Sequence, residues 1–103
     1  MKTANIPTSK SYHEFLIDRL QEPEHAAGFI EAILEEENPE PELLANALMK
    51  VVEAYTKVDR LSESAKQHSE KIVQILTKSG SAEIYRFVEL IKALGFLIEI
   101  KVK

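Results

Sequence analysis

The chain of 103 residues has no cysteine and only three glycines. The first absence excludes disulfides, thiolate metal sites and a cysteine nucleophile. The second leaves no glycine-rich loop to cradle a phosphate and no Gly-x-Ser-x-Gly elbow to present a serine. No run approaches the ~18 apolar residues of a membrane span, and MKTANIPTSKS at the start lacks the apolar core of a secretory signal. The expectation is a cytoplasmic protein with no membrane contact.

Metal chemistry is equally thin. His13, His25 and His68 fall in three separate elements, with no His-x-x-x-His pair at ligand spacing. Glu35, Glu36, Glu37, Glu40 and Glu42 crowd one region, but the alternating ligands and turn glycine of a calcium loop are missing. Carboxylates on exposed helix faces have nothing to push their pKa values apart. No enzyme, no cofactor and no metal are expected.

What is present is a globular composition, 45% hydrophobic and 29% charged, in a chain of single-domain length. The net charge of −4 hides an asymmetry. Met1 to Met49 holds three basic and ten acidic residues, a net −7, while Lys50 to Lys103 holds ten basic and seven acidic, a net +3. The second half therefore suits an anionic partner better than the first, although both surfaces could simply be solvated.

The periodicity predicts helices. Residues 1–10, with Ile6-Pro7, read as an extended arm before a domain over 11–103. Ser11 and Glu14 have capping-box spacing, and Tyr12, Phe15, Leu16 and Leu20 share one face of a first helix that ends before Pro23. Pro23 opens a second helix with a stripe of Ala26, Ala27, Ile30, Ile33 and Leu34. Asn38-Pro39-Glu40-Pro41 separates it from a third, about Glu42 to Tyr55, whose period of Leu44, Ala47, Leu48, Val51, Val52 and Tyr55 marks the central core helix. Val58 to Gly80 reads as two short helices around a tight corner, with Leu61 and Ala65 facing inward from the first. Gly80 is placed to end the second in a left-handed conformation. Ser81 caps a last helix carrying Ile84, Phe87, Val88, Ile91 and Leu94, and Gly95 ends it. From there the period is two, with Phe96, Ile98, Ile100 and Val102 alternating against Leu97, Glu99, Lys101 and Lys103, which predicts a half-buried β-strand over about 96–102. Its ladder needs a partner. The expected one is the same strand of a second subunit, antiparallel across a two-fold axis, and the alternative is the arm from Thr3 to Thr8, where Pro7 removes a donor.

From about Glu22 to Val102 the chain resembles the probable addiction module antidote family, antitoxins with a Cro/lambda-repressor-like, Xre-type helix-turn-helix. Glu22-Pro23-Glu24-His25-Ala26-Ala27 resembles its opening, Phe29 to Glu36 its acidic second helix, and Ile91-Lys92-Ala93-Leu94-Gly95-Phe96 its ending before a terminal strand. The resemblance implies an all-α bundle of about six helices containing a lambda-repressor-like helix-turn-helix, with the C-terminal strand used for homodimerisation. It implies a DNA-binding transcriptional regulator of toxin–antitoxin type, a homodimer on operator DNA, with half-sites one helical turn (~34 Å) apart. By position, Arg60 opens the supporting helix, His68, Ser69, Lys71 and Gln74 face the groove, and Lys78 sits near the end. Lys and Arg suit phosphates and Gln a base edge. For Lys71, Gln74 and Lys78 the bland reading is a solvated helix face, and for Arg60 an ion pair with Asp59 or Glu63. The acidic glutamates would face a small basic RelE/ParE-like toxin. The chain departs from the family pattern at Lys66 (where Gly is expected at the corner), Gln67, Ser62 and Ser69. The alternative reading is a protein-interaction module of the same fold that has lost sequence-specific DNA binding.

Overall fold

The computed structural model describes residues 9–103 and contains five helices: α1 (Ser9–Leu20), α2 (Pro23–Leu34), α3 (Leu43–Lys57), α4 (Glu63–Ser79) and α5 (Ala82–Ala93). Of the arm expected over residues 1–10, residues 1–8 lie outside the described residues, and Ser9 and Lys10 belong to α1 rather than to an extended arm. Ser11 falls inside α1, which begins three residues earlier than a Ser11 cap would allow. Among the described residues no helix is long and apolar enough to cross a membrane.

α3 is the central element. It packs against α1, α2 and α4, and its own apolar period explains why. Leu44, Ala45, Ala47 and Ala54 recur at helical spacing and are buried. On one side, Ala54 joins Ile17, Leu20 and Ala26, with Phe29, Val51 and Tyr55 packed around them. On the other, Leu44 and Ala45 join Leu76 of α4, flanked by Ile33, Leu48, Ile84 and Tyr85. The inner face of α1 is Leu16, Ile17 and Leu20, whereas Tyr12 and Phe15 point outward. Phe15 instead lies under the Arg19 guanidinium, 5.6 Å from its ring centre.

Two sequence expectations fail, each for a physical reason. The corner at Lys66-Gln67 does not exist, so there is no helix-turn-helix within 58–80, and the described residues hold five helices where about six were expected. α4 runs unbroken from Glu63 to Ser79. The Ser62 hydroxyl accepts from the Ala65 backbone N–H at 3.0 Å, and Lys66 N–H makes an intrahelical bond to the Ser62 carbonyl at 2.9 Å. No glycine or proline interrupts the segment that follows. A left-handed Lys66 would cost roughly 1–2 kcal/mol, whereas lysine is a good helix former.

The C-terminal strand is also absent. Residues 96–103 carry no regular secondary structure, and no strand exists among the described residues. A ladder needs a second row of backbone donors and acceptors, and every other element here satisfies its own backbone as a helix. The tail keeps its alternation without a ladder. Ile98 and Ile100 are half-buried, Leu97, Glu99 and Lys101 point out, and Lys101 pairs with Glu99 at 3.2 Å.

Both glycine terminators behave as their placement suggests. Gly95 (φ +95°) closes α5 in a Schellman arrangement: its N–H donates to Lys92 at 2.9 Å, and Phe96 N–H donates to Ile91 at 3.1 Å. Gly80 (φ +66°) ends α4, and a Cβ there would meet Pro41 Cβ at 3.1 Å. Ser81 follows at φ +65° and is fully buried. It stands at the N-terminus of α5 without capping it, and its hydroxyl has no hydrogen-bond partner.

Candidate interaction surfaces

Three surfaces merit attention: the outer strip of α4, the outer face of α5, and the acidic cleft between α5 and the α2–α3 connection.

Because α4 is continuous, side chains at i, i+3, i+4 and i+7 line up along it. Ser64, Gln67, His68, Lys71, Gln74, Ile75 and Lys78 form one exposed strip about 21 Å long at 1.5 Å per residue, and no carboxylate interrupts it. Four of the side chains singled out from the sequence, His68, Lys71, Gln74 and Lys78, are thus brought together. Two are not. Ser69 turns toward α3, and its hydroxyl donates to the Lys66 carbonyl at 2.8 Å. Arg60 precedes α4 and donates from its guanidinium to the Gln21 carbonyl at 2.9 Å, tying the α3–α4 connection to the end of α1. That is a structural role, and the partner is neither Asp59 nor Glu63.

α5 is amphipathic, but only one side of its apolar stripe is covered. Val88 is buried, Ile84 and Ile91 are half-buried, and Tyr85 donates its hydroxyl to the Ile33 carbonyl at 3.1 Å. Phe87, Leu90, Leu94 and Leu97 remain 57%, 56%, 60% and 81% exposed. Phe87, Leu90 and the C-cap Leu94, three and four residues apart, share one helical face of the kind a seam presents to a neighbour, and Leu97 follows beyond Gly95, outside the helix. Phe96 is exposed beside them. Of the residues assigned from sequence to a strand interface, then, Phe96 faces solvent, while Ile98, Ile100 and Val102 lie against the chain's own domain. Leu90 and Leu97 were missed as surface features because periodicity tells which residues share a face, not whether that face is covered.

The third surface is a cleft of about 460 Å³ on the opposite side of α5. Leu34, Pro39, Tyr85 and Val88 supply apolar contact, and Glu36, Glu37 and Glu89 the carboxylates. None of these three carboxylates has an ion pair among the described residues. Lys92 also lines the cleft, but its amine lies 3.5 Å from the Glu35 carbonyl, where it meets the negative end of α2. Burial of the Tyr85 phenol, and secondarily the Glu36 carboxylate, raise its pKa above the ordinary 10.0. The phenol therefore stays neutral and keeps its hydrogen bond to the Ile33 carbonyl.

His13 lies beside Glu53, 3.1 Å from its carboxylate, and links α1 to α3 at the surface. Among the described residues no group of three or more His, Cys, Asp or Glu side chains is arranged to hold a metal ion. No protein-family model, curated protein or solved structure matches this chain.

Proposed function

We propose that this chain is a cytoplasmic binding protein of the antitoxin type that works by protein–protein contact, without catalysis, through the outer face of α5. The observation that carries this reading is the uncovered seam of Phe87, Leu90, Leu94 and Leu97. Large aromatic and aliphatic side chains exposed together mark interaction sites more often than chance solvent exposure does. A basic partner suits the chain's net charge of −4. The family resemblance supplies the specific candidate, a small RelE/ParE-like toxin.

A second reading, duplex binding through α4, is supported by the acid-free strip of His68, Lys71, Gln74 and Lys78. It needs no corner, only a helix laid along a groove or a phosphate row, and two lysines make it strongly salt-sensitive. Co-purification with such a toxin separates the readings from a gel shift against the DNA upstream of the coding sequence at low salt. A toxin complex without DNA retardation supports protein contact alone. Retardation that Lys71→Ala/Lys78→Ala abolishes supports the second reading, and failure of both assays contradicts the antitoxin reading.

A further inference from the structure

The C-terminal tail does not leave the domain; it lies back along it. Ile100 N–H donates to the Glu31 carboxylate of α2 at 2.8 Å. Ile100 and Val102 line an apolar cavity of about 500 Å³ whose other walls include Ala26, Ala27, Ile30, Val51, Tyr55 and Leu61. Ala27 and Gly28 also flank the tail where it crosses α2. The cavity left around the tail shows that it fills the groove incompletely.

The attachment is light. Among the described residues Ile100 supplies the single hydrogen bond from the backbone of residues 97–103 to the rest of the domain, Val102 is half exposed, and Lys101 and Lys103 point to solvent. A segment held by alternate side chains and one backbone bond is the way a peptide ligand is held. We propose that the groove of α2, α3 and the start of α4 is a binding site for an extended peptide with apolar side chains at alternate positions and lysines between them. The chain's own tail occupies it as a tethered competitor. A short tether holds its ligand at an effective concentration in the millimolar range, so a free peptide must displace it before binding. The groove is separate from the outer face of α5, and its fate does not decide that of the α5 reading.

The test uses the full chain and a fluorescein-labelled peptide of residues 96–103, with binding read by anisotropy. Ile100→Asp/Val102→Asp expels the tail and leaves the groove residues unchanged. This variant should bind the peptide at least ten-fold more tightly than the wild-type chain does. Adding Ala27→Gln, which fills the groove, should abolish that binding. The proposal is overturned if the expelled-tail variant keeps its helical circular dichroism yet does not bind, if the wild type binds equally well, or if Ala27→Gln has no effect. Should the aspartates cost helicity, Ile100→Pro removes the donor of the tail's hydrogen bond and leaves Glu31 to accept from the peptide. It is then measured in their place and must show the same rise over wild type.

Discussion

Lys66→Gly distinguishes a corner from a continuous helix by the sign of its effect. In a helix-turn-helix with its corner at this position, Lys66 would be left-handed, and glycine would relieve roughly 1–2 kcal/mol of strain. In the structure Lys66 lies within α4, with its N–H bonded to the Ser62 carbonyl and its side chain in no ion pair among the described residues. Its replacement therefore changes helix propensity and little else. Glycine is about 0.8–1.0 kcal/mol worse than alanine in a helix, and lysine only a few tenths worse, so Lys66→Gly should destabilise by about 0.7 kcal/mol. For a domain of this size that lowers Tm by about 3–6 °C. Lys66→Ala should raise stability by a few tenths, a gain that a left-handed position would not give. Thermal melts and urea titrations of the three proteins, with m-values checked for constancy, measure both. A rise in Tm for Lys66→Gly would refute the continuous helix.

The α4–α5 junction supports two further predictions. Ser81→Gly should stabilise by about 1–3 kcal/mol in urea unfolding, because it relieves the left-handed conformation and removes a buried hydroxyl with no partner. Gly80→Ala should do the reverse, losing about 1 kcal/mol or more, since alanine would be strained at φ +66° and its Cβ would press on Pro41 at 3.1 Å. Tyr85 should ionise above the ordinary 10.0 in an ultraviolet titration, and Glu36→Gln should bring it partly back. The sign for stability follows from proton binding: above pH 10 the unfolded phenol deprotonates first, so the contribution is complete below that pH and is lost as pH rises through the folded value. A Tyr85→Phe chain should lack this alkaline component, which the difference between the two pH–stability curves reads directly.

The sequence was most informative where one local rule decides the outcome. The apolar period of α3, the proline opening of α2 and the glycine terminators at 80 and 95 all follow from backbone or burial constraints confined to a few residues. The corner at Lys66-Gln67 was expected from the order of elements in a resembling family, against local signals pointing to one helix: Ser62 as a cap and a segment with neither glycine nor proline from 63 to 79. The tail shows a different limit. Period two fixes which side chains alternate, but a strand also needs a neighbour to complete its ladder, and that neighbour is not written in the tail. Tyr12, Phe15, Phe87 and Leu94 sat on apolar stripes like any core residue. Only packing reveals that α1 and α5 are turned to leave them outside. Of the candidate DNA contacts, helical spacing sufficed to align His68, Lys71, Gln74 and Lys78, whereas the local bonds of Ser69 and the long-range bond of Arg60 depended on the folded chain.

The central claim is that α5 docks a basic protein partner through its outer face. Calorimetric titration of a RelE/ParE-like toxin into the wild type, Leu90→Asp and Lys71→Ala/Lys78→Ala tests it most directly. Leu90 is exposed, so its replacement leaves the core intact, and a central interface residue is worth about 2 kcal/mol, close to thirty-fold in Kd. The expected result is a loss of about thirty-fold for Leu90→Asp and affinity unchanged within a factor of three for the lysine variant. Equal affinity for wild type and Leu90→Asp, in chains of equal helicity, would contradict it.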